Sequence, residues 1–371
     1  MSTGTLTSTR RSTVPAAPNP HPTAAPGAIR RARTSPCQLS GPILEHLHHN
    51  FAVAWRKETG ENLIVTRQSM KVGRELRPLG MPQMAQILRT QAQEGKYDIE
   101  RLYLKAINNA TQFIYIENQY FRWPPLAEFI KSVAATQTKA GRDPGLHGAL
   151  HLFVITNATD DGIGAGTVNT QRMLESLGRA NTIPGVTKLR RIQKLQREAP
   201  PRPRPEPRDR VGQMELAQWQ AELDRQTQEI KDSSVLPEEI PGLKVHICSL
   251  VAPDSPAGKP WMPVYIHFKL MIINDVFTTQ GSANINTRSM QVDSELNIAH
   301  EWMSVTQALR RRLWNLHTNK KGSQDDAKKA FAAWQEIIKE NKERQADKKN
   351  GVPDASLVEF YYEKAVLKDL D

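Results

Sequence analysis

The stretch that decides this chain is Tyr265-Ile266-His267-Phe268-Lys269-Leu270-Met271-Ile272-Ile273-Asn274-Asp275, followed by Val276 to Gln280 and then Gly281-Ser282-Ala283-Asn284. Read with the period of two that a β-strand imposes, Val264, Ile266, Phe268, Leu270 and Ile272 face one way while His267 and Lys269 share the other face. Two residues along a strand span about 6.6 Å, so the imidazole and the ammonium can converge on one phosphate-sized anion. Asn274-Asp275 reads as a hairpin turn, because both residue types tolerate left-handed backbone. The returning strand ends at Gly281, which is expected to allow a sharp turn that sets Ser282 and Asn284 beside the same site.

A lone histidine on a strand is usually structural. Here a lysine on the same face supplies charge for phosphate oxygens, and Ser and Asn add neutral donors that hold them without a metal. Glu295 and Asn297 alternate against Leu296 and Ile298, so Glu295 is expected to reach the far ring nitrogen of His267, fixing its tautomer and raising its basicity. This spacing resembles the HxKx4Dx6GSxN signature of the phospholipase D superfamily: His267, Lys269, Gly281, Ser282 and Asn284 fall at the required intervals, and Glu295 stands where the family places its histidine-orienting carboxylate. One position departs. Asn274 occupies the place of the family's Asp, with Asp275 beside it, and in the family that Asp supports structure more than chemistry.

Further segments are similar to the opening of the second half of bacterial and eukaryotic phospholipases D: Gln86 to Thr90, a helix from Asp98, and Phe113-Ile114-Tyr115-Ile116-Glu117-Asn118-Gln119-Tyr120-Phe121. Glu117, Asn118 and Gln119 end a strand and are expected either to line the pocket or to cap structure. The resemblance spans about residues 42 to 318. With Ser289-Met290 and Asp293 to Asn297 it is most similar to bacterial phospholipases, including type VI secretion effectors that attack membranes.

The resemblance implies a phosphodiesterase that hydrolyses glycerophospholipids through a phosphohistidine, with no metal or cofactor. His267, Lys269 and Glu295 are then the catalytic set, Ser282 and Asn284 bind phosphate, and Asn274, Asp275 and Gly281 support them. It also implies a mixed central sheet flanked by helices, one half of a pseudo-twofold pair. Family members complete the site with two such motifs, and this chain has one: His21, His46, His48, His49, His147, His151, His246, His300 and His317 lack a lysine two residues on and a following GSxN. The expectation is a second-motif half, with a second copy or a separately encoded first half as partner and a phospholipid surface as substrate. A non-catalytic remnant, a nuclease and a phosphatidyltransferase of the same superfamily are the alternatives.

Outward from the motif, short apolar strands alternate with amphipathic helices, which gives an α/β layered domain. Ile43, Leu44, Leu47, Phe51, Ala54 and Trp55 repeat at helical spacing up to Gly60, and Ile99, Leu102, Tyr103, Ala106 and Ile107 form a second stripe. The net charge of +11 sits in two places: residues 1 to 40 contribute +5 and residues 188 to 210 contribute +6. A neutral remainder argues against a nucleic-acid partner, which needs a basic stripe. The domains expected are a disordered Pro/Arg-rich tail over 1–40, a catalytic half over 41–318 with a basic and Gln-rich insertion at 188–239, and peripheral charged helices over 319–371. No signal peptide or membrane-spanning run is legible, so the protein is expected to be soluble, either cytoplasmic or exported by a signal-independent system. Cys37 and Cys248 give neither a metal spacing nor a disulfide framework.

Overall fold

The computed structural model describes residues 3–8, 31–33, 37–66, 81–346 and 351–369. Its strands are β1 (Thr3–Ser8), β2 (Arg31–Arg33), β3 (Cys37–Ser40), β4 (Met81–Gln91), β5 (Lys96–Tyr97), β6 (Phe113–Asn118), β7 (Leu150–Ile155), β8 (Leu243–Leu250), β9 (Val264–Ile266), β10 (Lys269–Ile273), β11 (Phe277–Gly281), β12 (Glu295–His300) and β13 (Leu357–Glu359). The main sheet runs β13-β8-β7-β6-β10-β11-β12-β4-β1-β3. It is mixed. β6, β7 and β8 are parallel, and β10, β11, β12 and β4 continue antiparallel from β6. The α/β fold class with a mixed sheet between helices is therefore what the chain adopts.

β6 and β7 are buried along their whole length, as strands covered on both faces must be, which is why Phe-Ile-Tyr-Ile and Leu-Phe-Val-Ile read as continuous apolar runs. Alternate residues feed two cores. Ile114, Ile116, Leu152, Val154, Met271 and Ile273 meet Ile99, Tyr103, Leu126 and Leu174, from the helices Asp98–Asn108, Pro124–Lys139 and Thr167–Ser176. Phe113, Tyr115, Phe153, Ile155, Leu270 and Ile272 meet Leu313 and Trp314 of the helix Met303–His317, and Trp334 and Ile337 of the helix Ala327–Ala346. Val264, Ile266 and Phe268 join that second core, so the parity read from the sequence holds from 264 to 273. Among the described residues, no helix is long and apolar enough to cross a membrane.

Two segments pack differently from the sequence reading, and a third lies mostly outside the described residues. Most of the expected N-terminal tail lies outside the described residues, apart from β1, β2 and β3; β1 and β3 pair at the β4 edge. The basic run opens within a helix, Pro184–Glu198, that packs onto the domain: Val186, Thr187 and Ile192 are buried, and Arg190 bonds Gln171. The described residues of segment 319–371 are not peripheral. Ala330 and Trp334 are fully buried, β13 adds a strand to β8, and Phe360 and Tyr362 enter the first core, with the Phe360 N–H donating to the Ile247 carbonyl at 2.9 Å. The abundance of Lys and Glu on the exposed faces of that helix hid a stripe of large apolar residues beneath them.

Candidate active site

The motif residues gather where β10 begins, which is also the carboxyl end of the parallel strands β6 and β7, the usual place for a site in an open α/β sheet. The strand expected from Tyr265 through Ile273 is interrupted: His267 and Phe268 stand between β9 and β10. Asn157, just past β7, holds Ile266 at both polar groups, accepting from its N–H at 2.8 Å and donating to its carbonyl at 2.9 Å. Gln119, just past β6, then takes the Phe268 carbonyl with its own N–H at 3.0 Å. These tertiary clasps replace the ladder at that point and leave the His267 side chain exposed at the break.

Beside it, Lys269 is 8% exposed. Its Nζ donates to Gln119 Oε1 at 2.8 Å and to the His267 carbonyl at 3.1 Å. Burial pulls its pKa down to about 8, against the opposing field of the Glu295 carboxylate. The His267 pKa is lowered too, first by burial and then by the Lys269 charge, so the imidazole is neutral near pH 7. Its ring lies in offset stacking on Tyr265, with centroids 6.4 Å apart.

Glu295 does not reach the His267 ring. Its two carboxylate oxygens accept from Ser282 Oγ and, at 2.6 Å, from Ser289 Oγ. The alternation of β12 gave the correct face, but not the pair of hydroxyls that stand nearer than the imidazole. Ser282 is thereby fixed, its Oγ also accepting from the Leu296 N–H at 3.0 Å. Asn284 keeps its Oδ1 buried with no hydrogen-bond partner among the described residues, as a group waiting for a donor does.

Gly281 is needed for a different reason from the one expected. Its φ is not positive; a Cβ there would meet the Leu296 carbonyl oxygen at 2.2 Å and Asn297 Oδ1 at 2.3 Å. The glycine lets β11 and β12 approach closely at the point where Ser282 begins.

Asn274 and Asp275 form the expected turn, with φ of 52° and 58°, at the other end of β10, about 16 Å from Lys269 along the strand. Neither touches the site. Asn274 Oδ1 accepts from the N–H groups of Thr111, Gln112 and Phe113 at 3.2, 2.9 and 3.2 Å, while its amide donates to the Asn109 carbonyl and Thr111 Oγ1. Asp275 holds the fully buried Arg310, accepting from its Nε at 2.9 Å.

Of the three residues ending β6, one joins the site. Glu117 faces the second core and bonds Tyr115 Oη at 2.6 Å and His317 Nε2 at 3.0 Å. Asn118 is structural, accepting from the N–H groups of Tyr120 and Ile285 at 3.1 and 3.2 Å. Gln119 is the residue under Lys269. Tyr265, Asn157 and Ser289 carried no role in the sequence reading. Tyr265 was detectable, since it sits two residues before His267 with the same parity, and Asn157 ends a strand at the end where α/β sheets place ligands.

Six other described histidines stand away from the motif. His246 stacks on Phe331 with ring centroids 3.7 Å apart, His151 lies against the same ring, and His317 is on Glu117. His46, His49 and His300 line a separate groove beside β4.

No family model matches the chain. Over 70 residues it is 43% identical to phospholipase D alpha 4 of Arabidopsis thaliana, a match of 17% of this chain and 9% of that protein. The chain thus spans under a tenth of the curated relative it matches. Among solved structures, NucT from Helicobacter pylori aligns at 12% identity and a TM-score of 0.32, over 62% of this chain and 93% of NucT. Nuc from Salmonella typhimurium, a phospholipase D family member, aligns at 12% identity and 0.29, over 61% of this chain and 88% of Nuc. The phosphatidylserine synthase of Haemophilus influenzae Rd KW20 aligns at 11% identity and 0.29, over 78% of this chain and 55% of the synthase.

Proposed function

We propose that this chain, which is similar to the phospholipase D superfamily, supplies one half of a phosphodiesterase site for glycerophospholipids. The observation that carries the reading is the pairing of an exposed, neutral His267 with a Lys269 ammonium anchored from below by Gln119. A phosphate oxygen placed over Lys269 takes the ammonium's remaining donor, with the Asn284 amide N–H as the second donor in this reading. His267, neutral at pH 7, attacks phosphorus to form a P–N bond while the P–O bond to the leaving alcohol breaks and a second histidine gives that alcohol its proton; water then forms a P–O bond as the P–N bond breaks, and its proton returns to the second histidine. In the reverse role it protonates that alcohol after loading a proton.

Attack and protonation fall on opposite sides of phosphorus and cannot share one imidazole in one step. A second histidine comes, in this reading, from a second copy or from a separately encoded first half. Lipid is favoured over nucleic acid because Lys269 is the one cation among the site residues His267, Gln119, Tyr265, Ser282, Asn284 and Glu295, and a polyanion needs a basic stripe. The bacterial-effector and export readings rest on the sequence resemblance alone.

The test is headgroup release from phosphatidylcholine and phosphatidylethanolamine vesicles by the full chain, with molar mass measured alongside and His267→Ala as control. Turnover confined to dimers, or to mixtures with a first half, and lost in His267→Ala, is expected. Robust turnover by a strict monomer overturns the half-site, and equal turnover by His267→Ala overturns the chemistry.

A further inference from the structure

The side chain of Gln119 lies between two groups that the motif does not connect. Lysine has donors and no acceptor, so the 2.8 Å contact to Lys269 Nζ must be made by the amide oxygen. That orientation sends Nε2 the other way, where it donates to Tyr265 Oη at 2.8 Å. Tyr265 in turn carries the His267 ring at 21° to its own plane. Gln119 itself is held by its backbone: its N–H donates to the Phe268 carbonyl at 3.0 Å, and its carbonyl accepts from Asn157 Nδ2 at 3.1 Å. The side chain is 8% exposed, so it loses little rotamer freedom beyond what folding has already taken.

We propose that Gln119 is the positioning residue of this site: its single amide fixes the Lys269 ammonium through Oε1 and, through Nε2 and Tyr265, the plane of the His267 imidazole. His267 stands in the break between β9 and β10 and Lys269 opens β10, so no strand ladder sets the relation of their side chains there. The amide does so from β6. It also accepts from the ammonium without neutralising it, which a carboxylate at the same place would do, so that Lys269 keeps its charge for an incoming anion. That purpose rests on the phosphodiester reading given above; the brace itself does not.

The test uses the full chain carrying isotope-labelled Lys and His, as wild type, Gln119→Leu, Gln119→Glu and Tyr265→Phe. Lys269 and His267 are titrated by NMR without ligand, and dimethyl phosphate, which stays a monoanion, is then titrated in. Gln119→Leu removes the acceptor of the charged form and is expected to lower the Lys269 midpoint by about one pH unit, to move the His267 ring signals, and to weaken dimethyl phosphate about tenfold. Gln119→Glu is expected to shift the Lys269 midpoint the opposite way, upward by about one unit or more, which loss of packing alone cannot do. Tyr265→Phe is expected to move His267 with a smaller effect on Lys269. The proposal is overturned if Gln119→Leu leaves both midpoints at their wild-type values, or if Gln119→Glu shifts Lys269 in the same direction as Gln119→Leu. If the wild type binds no dimethyl phosphate, the phosphodiester reading fails while the ligand-free titrations still decide the brace.

Discussion

Replacing Asn274 separates two contributions that the turn after β10 combines. Its Oδ1 accepts three backbone N–H groups, from Thr111, Gln112 and Phe113, and its φ is 52°. Water can reach this edge, so the lost hydrogen bonds together cost about 1–2 kcal/mol rather than the sum of buried values. Alanine adds about 1 kcal/mol for the left-handed backbone. Asn274→Ala should therefore destabilise by about 2–3 kcal/mol, and Asn274→Gly, which loses the same bonds but accepts the φ, should recover about 1 kcal/mol of that. Asn274→Asp keeps all three acceptances with a charged oxygen. It loses the donation to the Asn109 carbonyl, the C-terminal cap of the helix Asp98–Asn108, and faces that helix's negative end, so a net cost of about 0.5 kcal/mol is expected. Urea unfolding followed by circular dichroism gives the free energies, and amide exchange at Thr111, Gln112 and Phe113 gives the local effect. Asn274→Ala within about 0.5 kcal/mol of wild type, or Asn274→Asp worse than Asn274→Ala, would refute this account.

Gly281→Ala forces a Cβ onto backbone atoms of Leu296 and Asn297 that cannot rotate away, so a loss of about 2–4 kcal/mol and reduced dimethyl phosphate binding are expected from the same two assays; a neutral result means that β11 and β12 can separate freely. Asp275→Ala leaves Arg310, 0% exposed, with Asp325 and two carbonyls as its partners, and should cost about 3 kcal/mol in urea unfolding; Arg310→Met together with Asp275→Ala should recover part of it. Dimethyl phosphate binding that needs the charged Lys269 should be nearly full at about pH 7, about twofold weaker at pH 8 and about tenfold weaker at pH 9, and a flat calorimetric profile would remove Lys269 from the site. The stability sign follows from the same pKa: between about 8 and the unfolded value of 10.5 the unfolded chain holds more protons at Lys269. Its contribution to stability therefore rises with pH across that window, and below pH 8 the buried ammonium exerts its full cost, which Lys269→Met should remove in pH-resolved urea unfolding.

The sequence by itself determined what period and turn chemistry fix locally. The alternation from Val264 to Ile272, with His267 and Lys269 opposed to it, is a steric property of extended backbone and survives even the break at His267. Asn274-Asp275 is a turn because those side chains tolerate positive φ, and the runs at Phe113 and Leu150 are strands because only a strand buried on both faces is apolar at every position. What only the tertiary structure decided is which partner each polar group chose. Glu295 had the correct face for His267, yet two hydroxyls stood closer. Glu117 and Gln119 are two residues apart, yet one enters the far core and the other holds Lys269, 150 residues on. Gly281 serves a strand approach that no local pattern records, and the helices under the basic and Lys/Glu-rich runs depended on buried stripes that charge concealed. A hydrogen bond falls off within a fraction of an ångström, so its partner is set by the packing of whole elements and not by the spacing within one of them.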